Sequence, residues 1–178
     1  MTENPMRRIS LEKVTLNVGA GEAGPLLEKA QALLKTISES KVVVTTTHKR
    51  TTFGGAKGRP IGVKVTIRGE KARELLGRLL QSIDNKLRPG QFDRQGNVSF
   101  GIVEYINVPG LRYDPDIGIM GFDVCVTLTR PGFRVSRKRT RPGKVGKSHR
   151  ITPEEAQKWM QDNYQTKITD EVDDRFSW

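Results

Sequence analysis

Apolar and polar positions alternate along this chain with two different periods, and each switch of period marks an element. Positions 9–18 predict a strand that ends with Val14, Leu16 and Val18 on one side and Lys13, Thr15 and Asn17 on the other, one face for a core and one for water. The GAGEAG run breaks this strand. Pro25, whose fixed φ and missing N–H suit a first helical turn, then opens a helix over 25–38 with Leu26, Ala30, Leu33, Leu34 and Ile37 on one face. A second strand is expected at 41–47. The third has the most regular alternation in the chain, Ile61, Val63, Val65 and Ile67 against Gly62, Lys64, Thr66 and Arg68. Gly69 leads into a helix over 70–83 striped by Ala72, Leu75, Leu76, Leu79, Leu80 and Ile83. The stretch DNKLRPGQFDRQGN reads as a polar loop, and strands follow at 98–108 and 122–129.

Strand, helix, two strands, helix, two strands is the order of an α+β domain. The expected architecture is an antiparallel or mixed sheet, split-βαβ-like, with two helices on one face and the other face open. That open face would carry Lys13, Thr15, Asn17, Lys64, Thr66, Arg68, Thr127 and Thr129. Threonine and lysine are also ordinary on a wet sheet face, so the pattern alone has a plain solvent-facing reading beside that of a ligand surface. Beyond Pro131 the composition changes: 134–150 has no carboxylate and includes Arg137, Lys138, Arg139, Arg141, Lys144, Lys147 and Arg150, a basic arm. Thr152 and Glu155 spell a capping box with Pro153 at the first helical position, predicting a short helix that docks through Trp159 and Met160. The end, DEVDDRFSW, is acidic. The expected division is one α+β domain over 1–133, then over 134–178 a basic arm with a short helix and an acidic tail.

Charge separates the possible roles of the open face. The 178 residues hold Lys+Arg 31 against Asp+Glu 20, a formal charge of +11. Within 41–69 there are seven lysines and arginines and no carboxylate. Cations held on strands in fixed register suit the repeating phosphates of a nucleic acid. Between the two strands of this window, 51–60 mixes glycines with Lys57, Arg59 and Phe53, and Lys49 and Arg50 stand just before it; such a loop approaches phosphates closely, with Phe53 either stacking on a base or anchoring the loop. A membrane is a poor alternative target, since the chain has neither a long apolar span nor a basic amphipathic helix with a bulky apolar face. The opening residues lack the apolar core of a signal peptide, and the single Cys125 cannot form an intrachain disulfide, so a cytoplasmic protein is expected. With His48 and His149 as the sole histidines, soft metal ligands are too few for zinc. No cofactor is expected.

One competing motif is present. Gly19, Gly21 and Gly24 spell G-x-G-x-x-G between a strand and a helix, the setting of a dinucleotide-binding turn, and Arg50 could meet the 2′-phosphate of an NADP-type cofactor. The next strand, however, ends in Thr45, Thr46, Thr47 and His48 with no acid for a ribose hydroxyl, and the later strands pair without crossover helices. No constellation of nucleophile, base and carboxylate emerges, so an enzyme is not expected. The loop holding Arg112, Tyr113, Asp114, Asp116, Ile117 and Met120 mixes apolar and acidic groups between glycines and prolines, a composition that suits a turn or a protein contact.

The segments LEKVTLNVGAGEA, KGRPIGVKVTIRG, NVSFGIVEYINVPGLRYDPDIGIMGFDV and RPGFRVSRKR together resemble the large-subunit ribosomal protein five family over nearly the whole chain, in its archaeal and eukaryotic form. The resemblance implies a protein of the central protuberance that binds 5S rRNA through its open sheet face, alongside large-subunit rRNA and neighbouring proteins. Matched motif by motif, the implied RNA contacts are Asn17, Thr45, Lys64, Thr66 and Arg68, with Lys13 and Thr15 on the same face. It further implies that the glycine-rich loop reaches P-site tRNA and that the loop around Tyr113 meets a small-subunit head protein. An RNA-binding protein of the same fold working outside the ribosome is the remaining alternative.

Overall fold

The computed structural model describes residues 4–21, 23–48, 50 and 56–169. Strand β1 (Ser10–Gly19) is followed by helix α1 (Pro25–Ser38), strands β2 (Val43–Thr46) and β3 (Pro60–Ile67), and helix α2 (Glu70–Gln81). The two-residue strand β4 (Lys86–Leu87) comes next, then β5 (Val98–Ile102) and β6 (Phe122–Thr129). A single-turn helix α3 (Arg134–Arg137), helix α4 (Pro153–Tyr164) and the short strand β7 (Lys167–Ile168) complete the described chain.

The principal sheet has five strands in the order β2-β3-β1-β6-β5, and every neighbouring pair is antiparallel. Two antiparallel steps make β2 parallel to β1 with β3 inserted between them, so β1-α1-β2 is a split βαβ unit. Period two decides the faces. Val14, Leu16, Val18, Val63, Val65 and Ile67 are all buried, as are Val98, Phe100 and Ile102 and Phe122, Val124, Val126 and Leu128. Each points toward the helices while the residue beside it stays accessible.

The helices bury matching stripes. All six residues expected on the second helix, Ala72 to Ile83, are buried, although α2 itself stops at Gln81; Asp84 and Asn85 then take left-handed φ of 55° and 54°, and the Asn85 N–H closes on the Leu80 carbonyl at 2.9 Å. In α1 the stripe is rotated: Leu27 is buried and Leu26 is 51% exposed, because the 27, 30, 34, 37 row points into the sheet. A third helix joins this layer. The capping box at Thr152 forms, with the Glu155 N–H on Thr152 Oγ1 and the Thr152 N–H on Glu155 Oε2. From α4, Ala156 and Met160 enter the common core, Trp159 Nε1 donates to the Ile9 carbonyl, and Tyr164 Oη reaches the Arg73 carbonyl of α2. Residues 151–168 thus share the core of the first 133.

Two expectations need correction. The strand expected over 98–108 ends at Ile102, and Tyr105–Asn107 is a 3-10 turn. Its β-branched and aromatic residues turn inward to anchor a loop: Tyr105 is 2% exposed, and its hydroxyl accepts from the Asp114 N–H at 2.8 Å. Nor is 84–97 merely polar. Leu87 and Phe92 are buried there, and β4 pairs in parallel with β7 near the other end of the chain.

Candidate nucleic-acid interface

Strand register lays the open face out in rows. One row crosses all five strands as Val43, Lys64, Asn17, Asp123 and Gly101. The next runs Thr66, Thr15, Cys125 and Ser99, three hydroxyls and a thiol. Lys13 stands opposite Thr127, Thr45 opposite Gly62, and exposed Arg68 follows the end of β3. The residues expected on this face, Lys13, Thr15, Asn17, Thr45, Lys64, Thr66 and Arg68, are therefore brought together. Gly62 has a steric role in that surface: a Cβ there would lie 2.7 Å from the Val18 carbonyl and 3.0 Å from Thr45 Oγ1. Among the described residues no carboxylate pairs with Lys13, Lys64 or Arg68, so their charge is available to a ligand. Three polar residues of the rows were not expected as ligands: Asp123 and Cys125, which alternation in β6 places on the same face as Thr127, and Ser99 opposite Cys125 on β5.

The base of the glycine-rich loop is clamped between β2 and β3. Thr47 accepts from the Gly58 N–H at 2.9 Å, donates its own N–H to the Arg59 carbonyl at 2.9 Å, and donates its hydroxyl to the Ala56 carbonyl at 2.7 Å. Arg50, Lys57 and Arg59 are exposed there. Lys49 and Phe53 lie outside the described residues.

The loop before β6 divides into anchors and an exposed rim. Ile117 and Met120, 7% and 9% exposed, belong to the core, whereas Tyr113 and Ile119 are 54% and 69% exposed. Arg112 and Asp116 are exposed. Asp114 organises the turn: its Oδ1 accepts from the Asp116 N–H and its carbonyl from the N–H groups of Ile117 and Gly118, with Gly118 at φ 75°. Ile119 escaped the sequence reading because apolar residues flank it at 117 and 120, and spacing does not say which of the three points outward.

The arm is a closed excursion. Arg130, 5% exposed, donates to the carbonyls of His149 and Arg150 and to Glu155 Oε1 at 2.8 Å, joining both ends of 131–150 to α4. The His149 ring nitrogen lies 2.8 Å from the Pro131 carbonyl, and Arg137 pairs with Glu12 on β1. Lys138, Arg139, Arg141, Lys144, Lys147 and Arg150 are exposed. Burial raises the Glu155 carboxyl, but the Thr152 N–H and the Arg130 hydrogen bond and charge outweigh it, so its pKa falls below the ordinary value of 4.5. Burial raises the Tyr164 hydroxyl.

The G-x-G-x-x-G turn is not a dinucleotide site. Both neighbours of β1 are antiparallel to it, so the adjacent parallel strand of a nucleotide-binding βαβ unit is missing from this sheet. No group of three His, Cys, Asp or Glu among the described residues could hold a metal ion, and no described helix is long and apolar enough to cross a membrane.

Fold and surface together define an α+β protein with a helix-backed antiparallel sheet, one cationic open face and a basic arm. Sequence comparison gives the family. The profile described as "Ribosomal protein L5" matches residues 4–52, and that of the ribosomal L5P family C-terminus matches residues 60–159. Proteins named large ribosomal subunit protein uL5 are 49% identical in Sulfurisphaera tokodaii, covering 95% of this chain and 97% of the relative, and 47% identical in Nanoarchaeum equitans, covering 93% and 99%. The counterpart in Methanosphaera stadtmanae is 43% identical over 93% and 99%. The chain belongs to the ribosomal protein L5 family, whose members are structural and carry out no catalysis.

Proposed function

We propose that this chain, as a structural constituent of the large subunit of the cytoplasmic ribosome, holds 5S rRNA against the open face of its sheet. The observation that carries this reading is the register: Lys64 and Asn17, Thr66 and Thr15, and Thr45 beside Gly62 stand in adjacent rows on a helix-backed sheet. Phosphate contacts from Lys13, Lys64 and Arg68 fix orientation, while Thr15, Asn17, Thr45 and Thr66 supply short hydrogen-bonding groups for ribose hydroxyls and base edges. The arm, through Arg137, Lys138, Arg139, Arg141, Lys144, Lys147 and Arg150, neutralises further rRNA phosphates and reaches neighbouring proteins of the central protuberance.

Two loops extend the role to moving partners. The glycine-rich loop with Lys49, Arg50, Phe53, Lys57 and Arg59 meets the P-site tRNA, and the rim around Arg112, Tyr113, Asp114 and Asp116 meets a small-subunit head protein, with exposed Ile119 as its apolar point. Ile117 and Met120 hold that rim in place from beneath.

Equilibrium titration of the full chain with 5S rRNA at two salt concentrations tests the reading. Affinity is expected to fall steeply with salt, since each neutralised phosphate releases counterions. A salt-independent affinity, or no preference for 5S rRNA over an unrelated folded RNA of similar length, overturns it. Deleting residues 52–59 and bridging the strands separates the two RNAs: 5S binding is expected to survive. A folded deletion variant that loses 5S rRNA removes the tRNA assignment of the loop.

A further inference from the structure

Asp123 is a carboxylate set within a surface otherwise suited to phosphate. It is exposed, and among the described residues neither a cation nor a hydrogen-bond donor pairs with it. Asn17 flanks it on β1 and Gly101 on β5, while Lys64 stands one strand beyond Asn17. Two strand spacings, ~10 Å, therefore separate a group that attracts phosphate from one that repels it. A carboxylate only accepts hydrogen bonds, so an RNA satisfies it with a ribose 2′-hydroxyl or with a base edge that carries N–H donors, and only a base edge offers two donors side by side in one plane, one for each oxygen.

The local shape supports a planar ligand. A Cβ on Gly101 would meet Asp123 Oδ1 at 3.7 Å and, its chain neighbours apart, nothing else within 4 Å, so the space above this glycine is open beside the carboxylate. Two concavities of about 530 and 490 Å³ meet at this row and share Asn17, Phe100, Gly101 and Asp123. Guanine presents N1–H and N2–H side by side, one for each carboxylate oxygen; adenine, cytosine and uracil offer no such pair. The neighbouring Asn17 amide carries both a donor and an acceptor, and its carbonyl oxygen or amide is free to complete the edge.

We infer that Asp123, with Asn17 beside it and Gly101 as an open floor, reads the Watson–Crick edge of an unpaired guanine in the bound RNA. The inference rests on the open face being the RNA surface. It makes Asp123 a specificity residue whose neighbours supply the affinity: cations hold the backbone, and the carboxylate rejects any RNA that offers phosphate at this point.

The test compares wild type with Asp123→Ala and Gly101→Leu, all as full-length chains, by titration with 5S rRNA and with an unrelated folded RNA of similar length. Kethoxal, which modifies N1 and N2 of unpaired guanine, maps the contact. In wild type, one or two guanines of 5S rRNA are expected to be protected. Asp123→Ala is expected to lose that protection alone and to reduce the preference for 5S rRNA about 10- to 100-fold, with the salt slope unchanged. Gly101→Leu fills the floor and is expected to do the same; its melting temperature establishes folding, and Asp123→Ala, which removes no internal partner, carries the test if it fails. The inference is overturned if Asp123→Ala keeps every protection, or if it tightens binding to both RNAs by the same factor. A wild-type chain with no preference for 5S rRNA fails the RNA-surface reading itself, a result visible before any variant is made.

Discussion

The open sheet face and the 134–150 arm carry the same kind of charge on opposite kinds of support. On the sheet, the two lysines are held in strand register, Lys64 beside Asn17 and Lys13 beside Thr127. The strand holding Lys64 is fixed from beneath by Val63 and Val65, 0% and 1% exposed. In the arm, the cations stand on one helical turn and irregular chain, and what is fixed is the base, where Arg130 ties His149, Arg150 and Glu155 together. Positions known to within a side chain can discriminate between ligands. Charges on an irregular loop tied down at its base and by the Arg137–Glu12 pair contribute attraction without selecting a sequence. The same sign of charge thus yields unequal information.

The largest effect that breaks this comparison comes from adjacent residues of β3. Val65→Glu should unfold the protein, because Val65 lies under the helices opposite Leu16, and burying an unpaired carboxylate there costs several kcal/mol against a total stability of about 5–15 kcal/mol. Thr66→Glu, on the open face opposite Thr15, should leave the melting temperature nearly unchanged and abolish 5S rRNA binding. Thermal melts and RNA titrations on both variants decide it. A folded Val65→Glu that fails to bind, with an unfolded Thr66→Glu, would invert the faces.

Smaller and slower to show is the release of the arm. Arg130→Ala leaves two carbonyls and Glu155 without their donor and is expected to destabilise by about 1–3 kcal/mol, read as a lower melting temperature and faster proteolysis between 134 and 150. Glu155→Gln adds a pH signature. Since the folded pKa of Glu155 lies below 4.5, the stability it contributes is present above that value and is lost as pH falls through the folded pKa, so the melting curves of wild type and Glu155→Gln should converge in acid. Thr152→Ala, which removes the cap from α4, should cost about 1 kcal/mol.

How much of this was legible in the sequence depends on the range of the interaction involved. Period-two alternation identified the buried and open sides of β1, β3 and β6, because a side chain's face in a strand follows from its neighbours alone. Capping chemistry located the start of α4 to the residue, since Thr152, Pro153 and Glu155 act within one turn. Long-range partners were not legible. Nothing local to Lys86–Leu87 announces a parallel pairing with Lys167–Ile168, and nothing around Arg130 marks it as the staple of a loop that closes 19 and 20 residues later. On the site itself, alternation collected the lysines and threonines, but the row through Asp123 exists only because β5 and β6 settle in one register, and an acidic residue did not fit a search for cations. Leu26 and Ile119 failed for a shared reason: where several apolar residues crowd one turn, spacing leaves the choice of the exposed one to packing.

The smallest effect sharpens the comparison most, since it separates attraction from recognition without disturbing the fold. Arg139, Arg141 and Lys144 are exposed, and among the described residues no carboxylate pairs with them. Replacing one by alanine should leave the melting temperature within error and lower affinity for 5S rRNA and for an unrelated RNA by the same factor. If that residue meets a phosphate, the slope of log affinity against log salt should fall by about 1. Lys64→Ala should also reduce the slope by about 1, but its loss should be larger for 5S rRNA than for the competitor, because Lys64 fixes the position from which Asn17 and the threonines make their contacts. The measurement is a salt series on three proteins, wild type, one arm variant and Lys64→Ala, with two RNAs. Equal losses of preference from the arm and from Lys64 would mean that the arm reads RNA as closely as the sheet does, and the distinction between a surface that recognises and a tether that attracts would have to be given up.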